Sequence, residues 1–156
     1  IELLKSLGAD RVIDYNKSNF EEVLSDYDIA YDLLGDHVSD HAAEKCCSIL
    51  KKTADSHYIT LTHPFVRTID KKGIFLGTPH ALYLRQLQKR KFSPINIHWS
   101  VYRPSLSGLE QLTELVQDGT IKPIIDSVFK IEDIGQAHRK AATGHVSGKI
   151  IIEHPR

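Results

Sequence analysis

Methionine is missing from the 156 residues, cysteine occurs only twice, and no glycine-rich turn of the G-x-G-x-x-G kind is present. Each absence narrows the reading. Without methionine there is no translation start, and Ile1 falls in what reads as the last turns of a helix. The chain is therefore expected to be a piece of a longer polypeptide. The cysteines, Cys46 and Cys47, are neighbours and cannot staple distant parts of a fold. That argues against a secreted disulfide scaffold and for a reducing, intracellular setting. No apolar run approaches the roughly 20 residues of a membrane-spanning helix, and no signal peptide is visible. Net charge is zero, so no overall field draws the chain to nucleic acid or an anionic membrane. The missing glycine-rich turn means that no phosphate-cradling loop is encoded here.

What is present is an alternation of short elements. Leu3, Leu4 and Leu7 have helical spacing, and Gly8 stands where a left-handed helix cap is expected. A strand is expected over 11–15. A helix capped by Asn19 follows, with Glu22 at the capping-box position and Phe20, Val23 and Leu24 on its apolar side. The run from Asp28 to Leu34 predicts a buried strand ending at Gly35. Ser39 or Asp40 opens a helix to about Leu50, and His57–Thr62 is the next strand. Such alternation implies an α/β fold with a parallel sheet.

The middle is less regular: a short helix and a strand over 65–77, a basic helix over 80–90, and a strand from Ile95 to Tyr102. After a break at Pro104, Ser107 and Glu110 form a second capping box for a helix through Leu109, Leu112 and Val116, stopped by Gly119. A strand over 124–129, a helix over 132–142 and a strand over 149–153 complete the pattern.

In open α/β sheets, ligands lie outside the carboxyl ends of the strands. Tyr15, Gly35 and the run Thr60, Leu61, Thr62 occupy three such ends. A tyrosine can cover a phosphate, a glycine lets backbone approach a sugar, and threonine hydroxyls and amides can bond a carboxamide. Each residue also has a plain structural reading, as a strand-end aromatic, a turn glycine and β-favouring threonines. Their shared location carries the signal. His37 and His41, four apart beside Asp36 and Asp40, suggest a metal-binding face. A solvated loop and cap fits better, because no H-E-x-x-H or paired-cysteine pattern follows, so no metal site is expected. Arg85 and Lys89-Arg90-Lys91 read as a solvated helix face, too sparse for nucleic acid. No spacing suggests a nucleophilic triad, and no catalytic acid or base is assigned.

Three stretches carry a family resemblance. LLKSLGADRVIDYN (3–16) resembles the region after the second strand of medium-chain dehydrogenases and reductases. YDLLGD (31–36) occupies the place of that family's Asp-x-x-Gly. ELVQDGTIKPIIDSVFKIEDIGQAHRKAATGHVSGKIII (114–152) resembles its C-terminal signature. Within the family the chain is most similar to zinc-independent quinone oxidoreductases of the zeta-crystallin type, and SHYITLTHPFVRTIDKKGIF (56–75) is similar to their mitochondrial reticulon-interacting branch.

The resemblance implies a partial Rossmann domain over 1–103, a doubly wound parallel sheet lacking its first strands. Residues 104–156 would form a segment returning to a catalytic domain. It implies NADPH as cofactor, contacted by Tyr15, Leu34, Gly35, Thr60, Leu61 and Thr62, with Gly148 and Lys149 approaching from a C-terminal loop. The bulk of Leu33 and Leu34, where the family often has small residues, is a departure. The implied activity is reduction of a quinone or an activated carbon–carbon double bond. The implied setting is the mitochondrial matrix, with the cytoplasm as the alternative. A homodimer through the Ile95–Tyr102 strand is also implied. The rivals are a non-catalytic cofactor-binding or interaction module and an inactive truncated form.

Overall fold

The computed structural model describes residues 1–34 and 41–154. The chain forms two compact units, one over Ile1–Tyr102 and one beginning at Arg103. No helix among the described residues is long and apolar enough to cross a membrane.

The first unit opens with helix α1, Glu2–Ser6. Gly8 adopts φ +96°, its amide donates to the Lys5 carbonyl at 3.0 Å, and the Ala9 amide donates to the Leu4 carbonyl at 3.1 Å. These two bonds form the left-handed cap expected from the sequence. The expected strand over 11–15 is absent, because these residues pair with no neighbour. A strand's peptide groups need a ladder, and without one the segment has no regular structure up to Asp14. There the Asp14 carboxylate accepts the Asn16 amide at 3.0 Å and turns the chain. Helix α2, Phe20–Val23, is a single turn. Asn19 does not cap it in the expected way: its side chain donates to the Glu22 carboxylate at 2.7 Å and accepts no backbone amide.

Three strands follow: β1 (Ile29–Asp32), β2 (His57–Thr60) and β3 (Asn96–Trp99). They form a parallel sheet in the order β1-β2-β3. Ala30, Tyr58 and Ile97 stand side by side in the register, and so do Asp32, Thr60 and Trp99. Parallel strands require long crossovers. The one from β1 to β2 carries helix α3, Ala42–Ser48, while that from β2 to β3 carries helix α4, Phe65–Lys91. Residues 65–77 are therefore helical, and the strand expected among them does not form. The helix breaks instead at Gly73, whose φ of 73° no helix accommodates.

The core lies on one face of this sheet: Ala30, Tyr58, Ile95 and Ile97 pack with Ala43, Cys47 and Leu50, with Phe92 and Trp99 against them. The opposite face of β1 is open, with Ile29 and Tyr31 more than half exposed. The buried run expected over 28–34 is thus buried on alternate residues only. Burial pushes the Cys47 thiol up to about 11, so this cysteine serves as packing.

The second unit begins with helix α5, Leu106–Gln117. Its N-cap is Ser105, whose hydroxyl accepts the Gly108 amide at 3.1 Å, and not Ser107 as the capping-box pattern suggested. Strand β4 (Ile125–Lys130) leads through a 3-10 turn into helix α6 (Ile134–Ala142) and then strand β5 (Lys149–Glu153). The two strands are parallel neighbours. The fold is α/β throughout, with parallel strands joined by helical crossovers.

Candidate functional site

The carboxyl ends of β1, β2 and β3 lie side by side, with Asp32, Thr60 and Trp99 in one row of the register. Two buried side chains shape this edge. The Asp32 carboxylate accepts the Tyr58 hydroxyl at 2.8 Å and the Leu34 amide at 3.0 Å. It thereby fixes the turn that carries Leu33 and Leu34 away from the sheet. Thr60, 4 % exposed, accepts the Thr62 amide on its hydroxyl at 3.2 Å. The two threonine hydroxyls lie 3.4 Å apart. The Leu61 amide bonds the Asp32 carbonyl, so neighbouring strand ends are tied together just beyond the sheet.

His63 closes the far side. Its ring stacks on Trp99 with centroids 5.0 Å apart. Its Nε2 donates to the Ser100 carbonyl at 3.0 Å, and its Nδ1 accepts the Phe65 amide at 3.4 Å. Both ring nitrogens are committed, which makes His63 a fastener between strand ends and not a proton carrier. The Trp99 indole donates to Gln88 at 2.7 Å and fixes α4 to the same edge. Burial, followed by the bond to Asp32, drives the Tyr58 hydroxyl above the usual phenol range. It therefore stays protonated and structural. Outward from this polar scaffold stand apolar side chains: Leu33, Leu34 and Leu61 are each about half exposed or more. The edge is an apolar ledge on a hydrogen-bonded frame, with a threonine hydroxyl beside it.

Of the residues singled out from the sequence, Leu34, Thr60, Leu61 and Thr62 come together here. Gly35 lies outside the described residues, as do His37 and Asp40. Tyr15 is 80 % exposed and lies in a turn, not at the end of a strand. Gly148 and Lys149 belong to the second unit. There Gly148 has φ +126°, and a Cβ on it would lie 2.4 Å from the Ile124 carbonyl oxygen. The Lys149 amide donates to that same oxygen at 2.8 Å, so this glycine lets β5 begin beside β4. Sequence reasoning missed the parts played by Asp32, Tyr58, His63 and Trp99. A carboxylate ending an apolar strand was the one signal available for them. Among the described residues no group of three or more His, Cys, Asp or Glu side chains is placed to hold a metal.

The sequence pattern of the family described as Zinc-binding dehydrogenase matches residues 7–152. The protein named NAD(P)H oxidoreductase RTN4IP1, mitochondrial, of Homo sapiens is 32% identical over 97% of this chain, which covers 38% of that protein. Its Drosophila melanogaster counterpart is 31% identical over 98% of the chain and 37% of its own length. The 2-methylene-furan-3-one reductase of Solanum lycopersicum is 28% identical, with 99% of this chain and 31% of that protein covered. Among solved structures, the quinone oxidoreductase from Coxiella burnetii superposes with a TM-score of 0.73 at 20% identity, over 99% of this chain and 42% of the other. The chain thus spans about two-fifths of the length of the relatives it matches.

Proposed function

The chain belongs to the zinc-binding dehydrogenase family of medium-chain dehydrogenases and reductases, and on that footing we propose that it forms the nicotinamide side of the cleft of an NADPH-dependent oxidoreductase. The observation that carries the reading is the ledge at the strand ends, where Leu34, Leu61 and Thr62 sit on the frame held by Asp32 and Thr60. An apolar ledge beside a hydroxyl suits a planar ring bearing a carboxamide. The half of a dinucleotide that carries the phosphates finds no glycine-rich turn in this sequence. The residues present therefore fit one end of the cofactor.

When bound, NADPH would supply a hydride to the substrate. Thr62 would hold the carboxamide. Leu33, Leu34 and Leu61 would exclude water from the bound ring. Asp32 and Tyr58 hold the turn so that the ledge costs no reorganisation when it is used. The substrate class is a quinone or an activated alkene. Support comes from relatives named as an NAD(P)H oxidoreductase and a furanone reductase. No metal takes part, and activity is expected to survive a chelator. Mitochondrial location follows the relatives' names. A second copy would pair along the free edge of β3. Residues from about 104 onward would return to a catalytic domain.

The test is NADPH fluorescence titration of the protein carrying this chain. Thr62→Val is expected to weaken binding about fivefold, the loss of one hydrogen bond, and Leu61→Asp by more. Unchanged affinity in both variants would remove the ledge from the cofactor site. Binding without turnover of a quinone or an enone would favour a non-catalytic module.

A further inference from the structure

A second concave site lies along the outer edge of the sheet, between α4 and β3, apart from the cofactor ledge and beside the strand edge along which a second copy would pair. The pocket encloses about 430 Å³, and its wall includes Arg85, Lys89, Asn96 and His98 and no acidic residue. Arg85 and Lys89 are one helical turn apart, so both project from the same face of α4. The Trp99–Gln88 hydrogen bond pins that face against β3.

Three lysines of this unit hold carboxylates: Lys91 pairs with Glu44, Lys45 with Glu21 and Lys51 with Asp28. Arg85 and Lys89 have no carboxylate partner among the described residues, and the Arg85 Nε is buried without a hydrogen-bond partner. A buried guanidinium nitrogen left unpaired is costly, and proteins rarely keep one without a use. His98 adds a further donor. Its Nε2 lies 2.9 Å from the Nδ1 of His57 on the neighbouring strand. Burial, and then the nearby His57, Lys89 and Arg85, hold its pKa below the usual imidazole range. The pocket therefore carries an excess of positive potential. Attraction to the helix C-terminus accounts for cations in the last turn of α4. It does not account for Arg85, which lies further back and whose Nε is buried.

We propose that this pocket binds the phosphoryl group of a small molecule, with Arg85 and Lys89 matching its two charges and His98 completing its hydrogen bonds. A phosphate near −2 balances two fixed cations, and the guanidinium fork suits its oxygens. The volume exceeds that of a bare ion, so either a phosphate ester or free phosphate fits.

The proposal is tested by NMR of the His57 and His98 imidazoles in the whole chain, titrated with inorganic phosphate, phenyl phosphate and, for comparison, acetate. Phosphate is expected to shift both signals saturably and to move the His98 pKa upward, because an anion offsets the neighbouring cations. Arg85→Gln and Lys89→Gln should each weaken binding about tenfold or more. Arg85→Lys should retain part of it, and keeps the test alive if the glutamine variant fails to fold. Tighter binding of phenyl phosphate identifies an ester as the natural ligand, and tighter binding of inorganic phosphate identifies the free ion. Linear shifts common to all variants, meaning an adventitious ion only, would overturn the site. So would acetate binding as tightly, displacement of phosphate by NADPH, or affinity that vanishes as chains pair along β3.

Discussion

Gly148 stands where no side chain fits, because the Ile124 carbonyl oxygen occupies the place of its Cβ. The family resemblance marks this residue for ligand contact, and its sterics give it a duty within the sheet as well. Gly148→Ala is expected to destabilise the second unit by about 2–4 kcal/mol, strain and overpacking together, measured by urea unfolding. Loss of cofactor affinity without loss of stability would contradict that assignment.

Cys47 makes a different kind of prediction. Its thiol is pushed up from 9.0 to about 11 by burial, so the unfolded chain releases this proton first as pH rises. The contribution is complete below about pH 9 and lost by about pH 11, on the order of 3 kcal/mol in all. Tyr58, raised in the same sense, extends the decline to higher pH. Stability measured between pH 8 and 11 should fall accordingly, and Cys47→Ala should remove the earlier part of the fall.

Elements were legible where their signals were local. Gly8 ended α1 as its position implied, and Lys149–Glu153 forms the strand its apolar run announced. Signals that depended on neighbours misled. Residues 11–14 have strand-like side chains, yet a strand exists only beside another, and no partner adjoins them. Residues 65–77 read as a short helix and a strand, whereas a helix satisfies its peptide groups without any partner. The cap of α5 was misplaced by two residues because Ser105 and Ser107 are equally suitable by type, and only the extended backbone at Ser105 decides. Ser105→Ala is expected to destabilise α5 by about 1 kcal/mol and Ser107→Ala hardly at all, read from hydrogen exchange of the Gly108 amide. Equal effects would restore the capping box of Ser107.

At the scale of the whole molecule, the candidate site was legible as a location and not as a mechanism. Alternation of elements placed Thr60, Leu61 and Thr62 at a sheet end. The frame of Asp32, Tyr58, His63 and Trp99 is assembled from three strands and could not be read along any one of them. Apolar surface is likewise a property of the assembled chain. In the second unit, Ile134, Ala137, Ala141, Ile150 and Ile152 line an open groove of about 190 Å³ beside α6. Exposed apolar concavities bind hydrophobic dyes. Such binding is expected here, and Ile134→Glu, at a 43 % exposed position, should lower the signal by about half or more. An unchanged signal would place the dye elsewhere.

The parallel pairing of both sheets also sets an order of assembly. Among the described residues no hairpin joins successive strands, so none of these strands pairs with the one that directly follows it until the crossover between them has been made. β1 must wait through α3 for β2, and β2 through α4 for β3. β4 stays unpaired until α6 and β5 have been made. Segments of this kind hold strand edges open while each crossover is being made, and that interval is when helper proteins that shield such edges have the most to protect.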